Sequence, residues 1–599
     1  MNASADWDMT PYFQELGDSE YDRFWTAIED DLRRLIAMAA ALPALGEPAL
    51  GSWSPFLAEL QELAMRIGHL SSYLACLRAA DGTDERIAGE AARFAIVEAE
   101  HAKLYVRLRA RLAAAGDSDY EQVVRHPALA AIADWFRRNR LAAQFSMPIE
   151  HEDLVADLEV VGLTAWSRLY DKISATLTFA LQVPGETARE VPISLTTALL
   201  ADKDPAVRRA SLAGANRAWA SMGESAAACL NGIAGARLLL HERRGEQHFL
   251  DPALRSAGIR RDTLDALMAV VREAQPLMRQ YLKDKARVLR LARLGIQDLT
   301  APAGQETLEK VPWAAATDRL CRCFDRFDPE LGTFARHAIS HRWIDYQPRP
   351  RKQPGAFCST SGLLGQSRVF MTFNGSTPDL MTLAHELGHG YHNWLLRDRQ
   401  VFARRYPIGL AETASTFCEQ ILVEQLLADA ESPPQRLRLL DERLLDAVVF
   451  LLGVPARFHF EHAFYEARKH GEVSVSRLQE LVLKAQEEAF ADALDREQLD
   501  AWLWASKLHF YLPSISFYNF PYIFGYLLTR GLFARARAEG AAFLPCYRAL
   551  LRDSGSAETE AVVRRHVGAD LTRPDFWRAS VAEVAAECEA FRRTSEQCA

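Results

Sequence analysis

Residues 377–397 read TPDLMTLAHELGHGYHNWLLR, and this stretch decides how the rest of the chain is understood. Thr377 is a residue type that caps helices, Pro378 suits the first helical position, and Asp379 suits the positive end of the helix dipole. A helix is therefore expected from there to about Arg397. On it, His385 and His389 stand four residues apart, within about 40° of each other and one turn along, so both imidazoles face one side and can share a metal ion. Glu386 lies about 100° round, placed to reach a metal-bound water without ligating the ion. Two histidines and one glutamate at this spacing are the makings of a zinc hydrolase site, with one Zn2+ per chain. His392 shares the metal face about 20° from His385 but roughly 4.5 Å beyond His389, which predicts a hydrogen bond to a second helix rather than ligation. Gly388 costs about 1 kcal/mol in mid-helix, which predicts that it makes room for a close neighbour beside the metal.

Such a site needs a third protein ligand and an open fourth position. Downstream, LAETASTFCE at 410–419 opens a helix after Pro407 and Gly409 and sets Glu412, Ser415, Thr416 and Glu419 on one stripe. Glu412 is the expected third ligand, and Glu419 is expected to orient a ligand histidine through its free ring N–H. The rival pattern with glycine three and histidine six positions past the second histidine fails, because His392 and Leu395 stand there. Upstream, 340–373 mixes proline, glycine and short apolar runs. Arg368–Phe373 reads as a strand closed by Asn374-Gly375, in a small sheet beside the site helix. Its main chain, around Phe370 and Thr372, is expected to offer an edge to an extended peptide.

Elsewhere the helical period dominates. Tyr21, Trp25, Ile28, Leu32 and Leu35 step three or four residues apart, as do apolar positions through 58–79, 89–114, 262–292 and 437–450. The fold class is mainly α. A change of texture near 195 suggests a helical domain over 1–195 and a catalytic domain over 196–599. With 49% hydrophobic residues, 25% charged and a net charge of −9, the 599-residue chain reads as folded throughout and poorly suited to nucleic acid. Nine scattered cysteines and an acidic start without a basic-then-apolar leader predict a reducing, cytoplasmic setting. The run from Lys507 to Arg530 contains no charge between its ends, yet His509, Pro513, Asn519 and Pro521 argue against a bilayer and for a buried aromatic wall. Length does not reveal the oligomeric state.

With these residues in view, the sequence resembles the oligoendopeptidase F family of zinc peptidases, relatives of thimet oligopeptidase. The resemblance rests on PGAFC at 354–358, RVFMTFNGS at 368–376, TLAHELGHGYH at 382–392, YPIGLAETASTFCE at 406–419 and HFYLPSISFYNFPYIFGYL at 509–527. It implies a prolate helical fold with an internal channel, zinc at its floor, and mid-chain cleavage of short unstructured peptides. Matching positions would make His385, His389 and Glu412 the zinc ligands, a gluzincin set, and Glu386 the general base. The resemblance also brings His509 and tyrosines of 518–526 toward the metal. Tyr526 is the expected oxyanion phenol with Tyr518 or His509 assisting, and Tyr522 is expected to bind substrate, while Tyr518 and Tyr522 exchange with their neighbours if the register slides by one. The readings set against an oligoendopeptidase are a zinc carboxypeptidase or dipeptidyl carboxypeptidase on a similar scaffold, and a non-catalytic peptide carrier.

Overall fold

The computed structural model describes residues 6–127, 129–304 and 310–598. Helices account for most of them, and the expected periodic segments are helices: Ser19–Ala41, Leu50–Ala80, Glu85–Ala113, Arg261–Val288 and Pro433–Val448. Asp18 and Asp84 cap the first and third through backbone amides, which satisfies donors that the first helical turn leaves open. None of the nine cysteines forms a disulfide. Among the described residues, no helix is long and apolar enough to cross a membrane.

Packing divides the chain into two interleaved units, along lines other than a cut at 195. One consists of Met1–Ala156, Leu308–Gln425 and Arg535–Ala569, the other of Asp157–Thr307, Leu426–Ala534 and Asp570–Ala599. In the first unit the three N-terminal helices bury Trp25, Leu32, Leu60, Leu104 and Leu108 in one core. The same unit holds the small sheet, in the spatial order Ile344–Asp345, Gln366–Phe370, Phe357–Ser361.

The sheet departs from expectation in one respect that bears on function. Gln366–Phe370 is its central strand, antiparallel to Phe357–Ser361 with Phe370 opposite Phe357, and parallel to Ile344–Asp345 with Val369 opposite Ile344. Beyond the strand, the Met371 and Phe373 amides donate to the carbonyls of Asp345 and Tyr346 at 3.0 and 2.8 Å. Both edges are therefore occupied as far as Phe370, which offers no open edge to a peptide, while at Thr372 the bonds run to the Asp345–Tyr346 side alone and the Phe357–Ser361 ladder has ended. Phe370 is buried against Trp7 and Phe357, and Thr372 is half-buried. The open edge belongs to Phe357–Ser361, whose residues 357–360 are all half-buried.

In the second unit, Arg261–Val288, Pro433–Val448 and Pro574–Gln597 pack together. They enclose a paired charge at Lys285–Asp441, 2.9 Å apart. Pro433–Val448 runs through a π-helical turn at Val449–Gly453 into Val454–Arg468, a local widening that re-aims the second segment. The uncharged run after Lys507 leads into the helix Phe520–Glu539, and Ile523, Phe524, Leu527 and Leu528 there are buried.

Candidate metal centre

The site helix spans Thr377–Leu396, one residue displaced from the expected cap: Ser376 is the N-cap, its Oγ accepting from the Asp379 amide at 3.2 Å while the Asp379 carboxylate accepts from the Ser376 amide at 3.1 Å. That reciprocal box holds the helix start firmly two turns before His385. The second helix, Ile408–Ala428, crosses at Gly388. A Cβ on Gly388 would lie 2.6 Å from both the Ala414 carbonyl oxygen and the Ser415 Cα, so the two backbones meet where only glycine fits. The expectation that Gly388 admits a neighbour is met, and the neighbour is the main chain of the helix that carries Glu412.

This crossing brings three donor atoms together. His385 Nε2 and His389 Nε2 are 3.1 Å apart, and Glu412 Oε2 stands 3.2 Å from the first and 3.5 Å from the second. Ligands about 2.0–2.1 Å from a tetrahedral ion are about 3.3 Å from one another, so the donor set has the size that a zinc ion requires. The far nitrogen of His385 is occupied in the way a ligand histidine needs, Nδ1 meeting Glu419 Oε1 at 2.7 Å, and His389 has the Ala411 backbone as a hydrogen-bond partner. Ser415 Oγ donates to Glu412 Oε2 at 2.9 Å. Glu386 is 6% exposed, and its Oε2 is buried without a hydrogen-bond partner, an orphaned acceptor beside the cluster.

The electrostatics follow from burying three carboxylates beside two imidazoles. Burial pushes the Glu386 carboxyl up to about 7, with Glu412 and Glu419 adding to the rise against an opposing pull from His385. Burial also works against ionised Glu412, yet the His385 hydrogen bond and the two histidines bring it down to about 2. Burial drives His389 down to about 4, whereas the Glu412 and Glu419 contacts outweigh burial at His385 and raise it. His392 is fully buried, stacked on Tyr406 at 4.1 Å, and its Nε2 lies 2.9 Å from Ser554 Oγ and 3.2 Å from the Leu551 carbonyl. It thus ties the site helix to the helix Leu544–Asp553 and its cap Ser554, not to the second ligand helix.

In the second unit, Tyr526 is 4% exposed and its hydroxyl faces Arg530, whose Nη2 and Nε lie 3.0 and 3.2 Å from it, and Arg530 is itself held by Glu587. Tyr522 donates to the Tyr518 hydroxyl at 2.9 Å, which leaves the Tyr518 proton for a further acceptor. His509 Nδ1 meets Asn519 Oδ1 at 2.8 Å, and its ring lies edge-on to Tyr518 at 5.1 Å. A second His-His-Glu group, His248, His462 and Glu466, is less fitted to a metal: His248 Nδ1 accepts from the Leu250 amide at 3.1 Å, and Lys469 holds both oxygens of Glu466. The residues that sequence reasoning missed are Ser376 and the edge strand Phe357–Ser361. The capping box was readable in S-T-P-D, but the edge depended on a two-residue pairing with no pattern of its own.

A helix-borne His-Glu-x-x-His beside a glutamate from a second helix, within a mostly helical scaffold, is the arrangement of a metallopeptidase. The chain belongs to peptidase family M3: that family model matches residues 198–583, and the oligopeptidase F model matches 111–179. The chain is 27% identical over 330 residues to oligopeptidase PepF of Bacillus subtilis, covering 54% of this chain and 48% of that one. It is 29% identical over 279 residues to the chromosomal oligoendopeptidase F of Lactococcus lactis subsp. cremoris, covering 46% and 45%. The chain spans about half the length of the curated relatives it matches. The crystal structure of oligoendopeptidase-F from Enterococcus faecium shares the fold over 97% of this chain and 100% of that one, with a TM-score of 0.71 at 18% identity.

Proposed function

We propose that the protein is a zinc-dependent, cytoplasmic oligoendopeptidase that hydrolyses internal bonds of short unstructured peptides. The observation that carries this reading is the triangle of donor atoms at 3.1, 3.2 and 3.5 Å with an unpartnered, buried Glu386 oxygen beside it. His385, His389 and Glu412 would hold the ion, which when bound supplies Lewis acidity and a water acidified toward about pKa 7. Glu386 takes the proton of the attacking water and passes it to the leaving amine, a task suited to a carboxyl that burial has lifted to about 7. Glu419 fixes the ring of His385, so that its Nε2 keeps its aim. An extended peptide pairs with the open edge of Phe357–Ser361.

Within the tyrosine segment, the oxyanion role falls to Tyr518, with His509 and Tyr522 holding it. Tyr518 is half-buried and keeps a proton to donate, whereas Tyr526 is buried, its hydroxyl oxygen accepting from Arg530. Such a donor is worth about 3 kcal/mol to the transition state.

The test is a peptide blocked at both ends, incubated with protein of measured zinc content, with and without a chelator. Chelator-sensitive internal cleavage supports the reading. Cleavage only of peptides with a free C-terminus would make the protein a carboxypeptidase or dipeptidyl carboxypeptidase, and tight binding without turnover would make it a carrier.

A further inference from the structure

The second unit contains a cavity of about 560 Å³ whose walls are mostly apolar, among them Leu177, Ile193, Leu212 and Trp219. Two cations stand in this wall, Arg457 from the helix Val454–Arg468 and Lys507 just before His509. Neither has an ion-pair or hydrogen-bond partner for its side chain, and Arg457 Nε is buried with nothing to donate to. Of the acids of the same wall, Asp500 attracts Lys507 through its charge without a direct bond, and none bears on Arg457. Asp500 accepts from the Trp502 amide at 2.9 Å and from Asn216, and Asp171 is exposed. Burial brings the Arg457 guanidinium down to about 10 and the Lys507 ammonium down to about 8, with the charge of Arg457 the second cause at Lys507. Both cations also act on His509, so the cationic end of the cavity adjoins the segment that bears His509 and Tyr518.

A buried guanidinium is retained at a cost of several kcal/mol unless an anion answers it. A planar fork and a compact ammonium in the wall of a mostly apolar cavity are a donor arrangement that suits a carboxylate. We propose that Arg457 and Lys507 form a carboxylate-binding pocket that anchors the peptide substrate by its C-terminal carboxylate. This rests on the oligoendopeptidase reading. It adds a preference for free-acid peptides.

The experiment uses the full-length zinc-loaded protein and three N-terminally labelled peptides of one sequence free of Asp and Glu: the free acid, the C-terminal amide, and the amide with one internal Asp. Equilibrium binding is read by fluorescence anisotropy on Glu386→Gln protein, which needs no turnover, and kcat and KM are read on the wild type. The expected result is about tenfold tighter binding of the free acid than of the amide, the value of one charge-assisted contact, appearing in KM rather than kcat. In Arg457→Gln and, independently, Lys507→Gln the ratio falls toward one, and Arg457→Lys restores part of it. If the Asp-bearing amide binds as tightly as the free acid, the pocket reads a side-chain carboxylate, and the C-terminal assignment is overturned. Equal binding of all three peptides, or a free-acid preference that survives in both glutamine variants, overturns the pocket itself. Cleavage of the amide by the wild type tests the peptidase reading separately, because it needs no carboxylate.

Discussion

Replacing Gly388 by alanine tests whether the metal centre depends on the closeness of two backbones. The added Cβ would sit 2.6 Å from the Ala414 oxygen and the Ser415 Cα and 2.9 Å from the Ala414 carbonyl carbon. Carbon contacts settle at about 3.5–4.0 Å, so the helix Ile408–Ala428 has to withdraw by about 1 Å, and no flexible side chain is there to yield instead. Alanine returns about 1 kcal/mol of helix propensity, and overpacking costs about 1–3 kcal/mol, so the metal-free protein loses between nothing and about 2 kcal/mol. Zinc affinity suffers more. Glu412 lies two residues before Ala414 on the withdrawing helix, and its distances of 3.2 and 3.5 Å to the two histidines grow with the shift. A displacement of that size at a ligand is expected to cost about 10–100-fold in affinity, as loss of a supporting contact does. Competition with a chromophoric chelator measures the affinity, and melting curves with and without zinc measure the stability. Gly89→Ala is the control, since an exposed helical glycine with nothing near its Cβ position should simply gain about 1 kcal/mol. If Gly388→Ala behaves like Gly89→Ala and binds zinc as the wild type does, the close crossing does not set the ligand geometry and the reasoning fails.

The other predictions separate the roles at the site. Glu386→Gln should keep stoichiometric zinc and lose about 10²–10⁴-fold in kcat; wild-type turnover in that variant removes Glu386 from the proton path. Glu412→Ala should release the metal, whereas Glu419→Gln should retain it with about 10–100-fold weaker affinity, both read by zinc analysis after dialysis. Tyr518→Phe should lower kcat with little change in KM, and Tyr526→Phe should mainly lower the melting temperature; the opposite split returns the oxyanion role to Tyr526. Burial holds His69 down to about 4, so the unfolded chain, with an ordinary value near 6.5, takes up its proton first as pH falls. Stability should therefore decline from about pH 6.5 to about pH 4, and His69→Asn should flatten the decline in melting temperature over that window.

The parts of the site legible in the sequence are those that helical geometry alone determines. His385, Glu386 and His389 are read from a spacing of four, and Glu412 and Glu419 from a spacing of seven along one stripe; the converging distances are consistent with both. What escaped depended on partners remote in the chain. His392 finds Ser554 more than 150 positions away, and the Tyr526 hydroxyl is bound by an arginine that Glu587 holds from the last helix. The strand at 366–370 looked open because its second neighbour is only two residues long, too short to carry a pattern. The interleaving of the two units leaves no trace in composition, because both are built from the same kind of amphipathic helix.

Counting charges at the centre supports the proposal that these residues hold a cation rather than each other. Glu386, Glu412 and Glu419 bring three carboxylates into a space shared with two imidazoles, and His389 alone is driven by burial toward its neutral form. Protein alone balances this by holding protons, visible in the raised Glu386 and His385. A structural cluster of that composition would be costly, since each buried charge carries a penalty of several kcal/mol, and apolar residues of equal volume would serve as well or better. A divalent ion at the donor triangle would offset two of the three negative charges and need both imidazoles neutral at Nε2, a state that the Glu419 contact at the far nitrogen of His385 favours. The remaining carboxylate, Glu386, is the one with an oxygen that no protein group reaches, and so the one with an acceptor left over for water.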